Sequence, residues 1–164
     1  MSQKSSELKA QGVDVINLSV GEPDFKTPWH IREAGIKSLE KGYTRYTSNH
    51  GMIELRRAVS KFMQDKYDLN YCADNQILIT VGGSEAIDGC IRALISPGDE
   101  VLVVEPSFVC YAPLTELAGG KPVILPTYEK DDFKLMPETV KAAITEKTKL
   151  LIMPYPNNPT GACG

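Results

Sequence analysis

The residues able to do chemistry gather in four short segments of the 164-residue sequence. The first is Thr80-Val81-Gly82-Gly83-Ser84-Glu85-Ala86-Ile87, where an apolar run ends in two glycines and opens into a helical pattern. Glycine lets backbone N–H groups approach a ligand closely, and a first helical turn offers unpaired donors and the positive end of the dipole. Ser84 can cap that helix and donate its hydroxyl to an anion. A phosphate is the ligand that fits. The spacing is neither GxGxxG nor GxxxxGK[ST], and the alternative is a Gly-Gly-Ser turn that binds nothing.

The second segment, Pro154-Tyr155-Pro156-Asn157-Asn158-Pro159-Thr160-Gly161, follows another apolar run. Its prolines stiffen the loop, and its Asn amides offer donors and acceptors to a ring oxygen or a carboxylate. The alternative is an ordinary Asx-Pro turn. The third, Glu105-Pro106-Ser107-Phe108-Val109-Cys110-Tyr111, presents Phe108 or Tyr111 to lie flat against a planar ligand. An aromatic after a strand is more often core, so this segment alone decides nothing. The fourth is a pair of amino-terminal loops, Ser19 to Phe25 and Tyr46 to Gly51, which by themselves read as turns.

The elements that position these segments follow from periodicity. Ile77 to Val81, Glu100 to Val104, Pro122 to Pro126 and Leu150 to Pro154 are compact β-type runs. Helical patterns separate them at Ser84 to Ile95, Tyr111 to Ala118 and Pro137 to Glu146. Apolar strands without alternation, separated by helices, predict a parallel sheet covered on both faces, joined by right-handed crossovers into an α/β sandwich. Pro97-Gly98-Asp99 and Gly119-Gly120-Lys121-Pro122 are turns feeding the second and third strands. Ligands of such sheets bind at the carboxyl ends of the strands, where the second and third segments lie. Before Asp74 there are two amphipathic helices, Pro28 to Lys41 and one running from about Ile53 to Asp65, and a short apolar run from Val15 to Val20.

Composition excludes several classes. Hydrophobic residues make up 42% and charged residues 24%, values of an ordinary globular domain rather than a fibre or a disordered tail. A net charge of -3 without a basic cluster argues against a nucleic-acid surface. The longest apolar run, Val101 to Val104, is far short of the roughly 20 residues of a membrane helix. The start Met1-Ser2-Gln3-Lys4 leads into no apolar leader, which makes the cytoplasm the expected location. Cys72, Cys90, Cys110 and Cys163 form no CxxC pair, and with only His30 and His50 beside them they are expected to be buried free thiols, with no metal bound.

Taken in order, GEPDF, YTSNHGMIELRRAV, TVGGSEAI, EPSFVCY and PNNPTG resemble the class I/II aminotransferases, pyridoxal-phosphate enzymes of the aspartate aminotransferase fold, fold type I. The resemblance runs from about Val15 to Gly161. It implies a three-layer α/β sandwich around a mostly parallel sheet, present incompletely, with 1–27 as an amino-terminal arm or small-domain segment and 28–164 as a partial large domain. It also implies roles. Gly83, Ser84 and the amide of Glu85 would hold the cofactor phosphate, Phe108 would stack on the pyridine ring, and Asn158 would hydrogen-bond the ring's phenolic oxygen. Tyr46 would reach the phosphate of the neighbouring subunit, implying a homodimer. Gly21 and Tyr111 would line the substrate site.

The Schiff-base lysine, the aspartate that pairs with the pyridine nitrogen and the arginine that takes the substrate carboxylate all follow the NNPTG loop in the family. No lysine of this sequence has the family's serine-lysine context; Ser60-Lys61 falls on the wet face of an amphipathic helix. The expectation is therefore the cofactor-binding portion of an aminotransferase acting on an amino acid and a 2-oxo acid, without a catalytic residue of its own. The alternatives are a fold type I lyase, and a non-catalytic module that binds a phosphate-bearing ligand or a partner. A Rossmann-type nucleotide site is a more distant alternative, lacking the third glycine and the acidic residue. Four strands with open edges and an uncovered apolar face should be marginal in isolation.

Overall fold

The computed structural model describes residues 2–16, 21 and 23–163. Residues 17–20 of the Val15 to Val20 run, and Glu22 of GEPDF, lie outside them. The chain forms two compact units, Met1–Thr47 and Ser48–Gly164.

The first unit holds α1 (Ser2–Ala10) and α2 (Trp29–Glu40). Helix α1 carries no amphipathic pattern that would have announced it. Helix α2 follows Pro28, whose ring favours a helix start, and buries none of its residues. Ile31, Ile36 and Leu39 are exposed apolar residues of that helix.

The second unit opens with α3 (Ile53–Tyr67), which ends on Asp68 in the left-handed conformation. Arg56 is its buried residue, and its guanidinium donates to the carbonyls of Gly51, Ala73 and Asp74, tying the helix to the loops on either side. Next come α4 (Gly82–Leu94), β1 (Glu100–Glu105), α5 (Tyr111–Leu117), β2 (Lys121–Pro126), a 3-10 turn at Glu129–Asp131, α6 (Pro137–Ala143) and β3 (Thr148–Ile152). The three strands form one parallel sheet in the order β2-β1-β3. Val103 lies opposite Ile124 on one side and Ile152 on the other.

Strand β1 is central, paired on both sides, and Val101 through Val104 are all buried, whereas β2 and β3 are only partly covered. Val101 and Val103 pack with Ile91 and Ile95 at the end of α4 and with Tyr111 at the start of α5. Leu102 and Val104 point to the opposite face by strand alternation. At the amino end of the sheet, Glu100 is buried and accepts hydrogen bonds from Lys121 Nζ at 3.0 Å and Thr145 Oγ1 at 2.7 Å. Those two bonds hold its carboxyl below the usual range, against the opposing effect of burial.

The expected parallel α/β architecture is present, with three of the four expected strands. Ile77 to Val81 is extended but joins no ladder. The outer edges of β2 and β3 are open, but among the described residues this run pairs with neither. The Ile79 N–H donates instead to the His50 carbonyl at 3.0 Å, leaving Leu78 60% and Val81 92% exposed. The thiols also differ from expectation. Cys72, Cys90 and Cys163 are exposed and Cys110 is half-buried. Cys90 lies with Leu94 and Leu151 on the wall of an apolar groove of 310 Å³ between α4 and β3 that no described element covers.

Candidate functional site

Helix α4 and strand β1 are joined by a short turn and packed through Ile91, Ile95, Val101 and Val103. The 13 residues of the helix and the 6 of the strand each span roughly 20 Å, so the helix start stands at the carboxyl edge of the sheet. The loops leaving β1 and β3 emerge at that same edge. The chain leaves β1 towards β2 and then returns across it to β3, so the loops after β1 and β3 emerge side by side. A crevice at that edge is the usual ligand position in an open parallel sheet.

At the helix start, Gly82 has a φ of +80°, which glycine adopts without strain, and its N–H donates to the Thr80 carbonyl. Thr80 Oγ1 donates to the Gly82 carbonyl at 3.0 Å. Ser84 is not the cap that its position predicts. The N-cap residue is Val81, and its N–H is satisfied by the Glu85 carboxylate reaching back. The contact has the sense of the acidic half of a capping box, set one residue later at N4. A carboxylate at N3 or N4 competes well for that donor because it also complements the dipole. The arrangement leaves the Ser84 hydroxyl without a hydrogen bond among the described residues. The amides of Gly83 and Ser84 face outward in the first turn, where helix geometry gives them no internal partner.

In the loop after β1, Phe108 is 37% exposed and meets Tyr111 edge-on, with ring centroids 6.0 Å apart and planes at 77°. Its ring borders a cavity of 390 Å³ that also touches Pro106, Ser107, Ala112 and Pro113. Tyr111 sits in the apolar cluster against β1, and burial pushes its hydroxyl above the usual tyrosine range, with the neighbouring Cys110 adding to the shift. Burial likewise raises the Cys110 thiol.

The loop after β3 is held from both sides. Tyr155 Oη donates to the Phe133 carbonyl at 3.0 Å, in the loop after β2. Asn157 Nδ2 donates to the Pro106 carbonyl at 2.8 Å, in the loop after β1. Within its own loop Asn157 donates to the Ala162 carbonyl and accepts from the Gly161 N–H, both at 2.8 Å. Asn158 is exposed at the head of this closed turn. Thr127 adds a third tie, with its N–H and Oγ1 both bonded to the Glu105 carbonyl, at 2.7 and 2.9 Å.

The second unit thus brings Gly83, Ser84, Glu85, Phe108 and Asn158 to one edge. Gly21 and Tyr46 belong to the first unit, where both are exposed and Tyr46 lies beside Thr44 and Arg45. Asn157, Thr127 and Tyr155 were not singled out by sequence. Their signal was faint: an Asn, a Thr and a Tyr in loops directly after strands.

The chain matches the family described as aminotransferase class I and II over residues 13–163. It belongs to that family. Among curated relatives it is 48% identical over 160 residues to the putative aminotransferase YugH of Bacillus subtilis, covering 98% of this chain and 42% of that protein. It is 46% identical to the probable N-acetyl-LL-diaminopimelate aminotransferase of the same organism, covering 97% of this chain and 40% of that one. Among solved structures, the Thermus thermophilus aspartate aminotransferase with maleate superposes with a TM-score of 0.90 at 41% identity, over 99% of this chain and 42% of that one. The chain therefore spans about two fifths of the length of these relatives. Members of the family depend on pyridoxal 5'-phosphate.

Proposed function

We propose that this chain contributes the cofactor-binding part of a pyridoxal-phosphate-dependent aminotransferase that moves an amino group between an amino acid and a 2-oxo acid. The observation that carries the reading is the convergence, at one sheet edge, of an open helix start, a half-exposed aromatic ring and an exposed amide. These fit the three parts of the cofactor. Unpaired amides and the free Ser84 hydroxyl suit a phosphate, the Phe108 ring bordering a cavity suits a planar pyridine, and Asn158 offers a donor to the phenolic oxygen.

Gly83 and Ser84 bind the phosphate through their amides and the Ser84 hydroxyl and fix one end of the group; the Glu85 amide, which the resemblance adds to this set, is the first intrahelical donor once Val81 is the cap. Phe108 orients the ring and excludes water from one of its faces. Asn158 stabilises the ionised phenolic oxygen by donating to it. Gly21 and Tyr111 serve the substrate side, and Tyr46 reaches the phosphate of the neighbouring subunit in a homodimer. Residues 1–27 act as an arm or small-domain segment and 28–164 as part of the large domain. When bound, the cofactor supplies an electron sink for chemistry at the substrate carbon. Composition and four unpaired thiols support a cytoplasmic location. Among the described residues no helix is long and apolar enough to cross a membrane.

The test is a titration of the purified chain with pyridoxamine phosphate, which forms no imine with lysine. Saturable binding that weakens in both S84A and N158A supports the reading. Binding indifferent to both variants overturns it.

A second reading is a chain that binds the cofactor without reacting with it. It is favoured by the cavity beside Phe108, which no lysine lines. Borohydride reduction after adding pyridoxal phosphate tests this. A stoichiometric adduct at one lysine contradicts the second reading, and scattered substoichiometric labelling supports it.

A further inference from the structure

Two of the groups assigned above to the cofactor ring, Phe108 and Asn158, lie on different loops, and nothing in either loop's own sequence sets the distance between them. The contact that sets it is the bond from Asn157 Nδ2 to the Pro106 carbonyl, 2.8 Å long and spanning 51 positions of sequence. Pro106 stands two residues before Phe108, and Asn157 directly precedes Asn158. We infer that Asn157 is a positioning residue: its amide fixes the loop bearing Phe108 against the loop bearing Asn158, and so sets the gap into which the pyridine ring fits. This inference rests on the cofactor assignment proposed above.

Three observations carry it. Asn157 is 4% exposed, although it lies in a loop at the mouth of the sheet, so its side chain serves the protein interior rather than a ligand directly. The orientation of its amide is forced. The Pro106 carbonyl can only accept, so the NH2 group must face it, and the Oδ1 atom is left buried without a partner among the described residues. A buried acceptor without a donor costs stability. An asparagine kept at that cost is kept for its donor. Finally, the main chain of Asn157 is itself immobilised by the bonds to Gly161 and Ala162, so the side chain acts from a fixed base.

The other side of the same loop is held independently. Thr127 grips the Glu105 carbonyl, one residue before Pro106, from the loop after β2. Two successive carbonyls leaving β1 are therefore taken by opposite neighbours. Loss of Asn157 leaves the strand end anchored and frees only the side that faces Asn158. The effect should fall on ring recognition and spare the start of α4, which no bond from this loop reaches among the described residues.

That separation gives the test. N157A removes the amide, and N157D at pH 8 keeps its size and shape while replacing the donor by an ionised acceptor. Each variant and the parent are titrated with pyridoxamine phosphate and, separately, with inorganic phosphate, which engages the helix start alone. The expected result is about tenfold weaker pyridoxamine phosphate binding in both variants, the loss of roughly one hydrogen bond's worth of order, with inorganic phosphate affinity unchanged. The inorganic phosphate arm also reports whether a variant is folded. Equal weakening of both ligands means a general structural role and overturns the inference, as does wild-type pyridoxamine phosphate affinity in N157D. If the parent binds neither ligand, the cofactor assignment itself fails and takes the inference with it.

Discussion

Gly51 is where the loop at 48–51 presses on the segment that leads into α4, and alanine at this position tests how firmly that segment is held. Its φ is +89°, and a Cβ would stand 2.6 Å from Ile79 Cβ and 2.7 Å from Ile79 Cγ1. Rotation of Ile79 cannot relieve the clash, because its Cβ is fixed by the main chain. The two backbones would have to part, and the bond from Ile79 N–H to the His50 carbonyl opposes that. The left-handed conformation costs a non-glycine residue about 1–2 kcal/mol. Overpacking adds about 1–3 kcal/mol, so G51A should lose about 2–5 kcal/mol. Gly98 supplies the control. Its φ is +92°, but nothing lies within 4 Å of an added Cβ, so G98A should show only the dihedral cost of about 1–2 kcal/mol. Urea unfolding of both variants, with m-values checked for equality, gives the difference directly. If G51A is no more destabilised than G98A, the close approach does not hold the segment and the reasoning fails. Because Ile79 lies three residues before Gly82, G51A should also weaken inorganic phosphate binding under conditions where it remains folded.

Three further outcomes follow from named contacts. S84A should weaken inorganic phosphate binding about tenfold, a charge-assisted hydrogen bond's worth, while leaving the thermal midpoint unchanged because the hydroxyl bonds to nothing in the described residues; isothermal titration and thermal melts check the pair. Glu100 has a folded-state pKa held below its ordinary 4.5 by Thr145 and Lys121, so its contribution is complete above that value and is lost as pH falls through the lowered one. The parent should lose stability on acidification below pH 4.5 and E100Q should show a shallower slope there, read by urea midpoints at several pH values. L125A removes a fully buried side chain from β2 and should cost about 2–5 kcal/mol; a loss near zero would mean that the β2 side of the sheet is not packed.

Much of the fold was legible because its signals are local. The run Val101 to Val104 reads as a doubly covered strand, and the glycine and proline turns at 97–99 and 119–122 bracket the crossovers. Ile77 to Val81 carries the same composition but is no strand here, because ladder pairing is a property of two segments and composition describes only one. The Ser84 cap failed for a similar reason. Ser84 and Glu85 both compete for the helix start, and one-dimensional spacing does not say which arrives. Phe108 and Asn158 were singled out as candidates through the motifs around them, whereas the bond between Asn157 and Pro106 was invisible. A buried asparagine and an exposed one look alike in a sequence, and 51 residues separate the partners.

The three proposed cofactor contacts share one dependence. Phe108 follows β1, Asn158 follows β3, which is registered on β1, and the start of α4 is placed by the packing of Ile91 and Ile95 against Val101 and Val103. Each is therefore located relative to β1, whose residues Val101 to Val104 are sealed from solvent. The poorly covered apolar residues lie elsewhere: Leu78 before the helix, Leu94 at its end, Leu151 on the outer strand. Packing density makes the sealed strand the least deformable element, while stability is weakest where apolar contacts are few. Opening of the outer groove would therefore disturb the β3 side, and with it Asn157 and Asn158, before it disturbs Phe108. Hydrogen exchange should accordingly show faster amides in Leu150 to Ile152 than in Leu102 to Val104. The reverse order would break the link between burial of β1 and the geometry of the site.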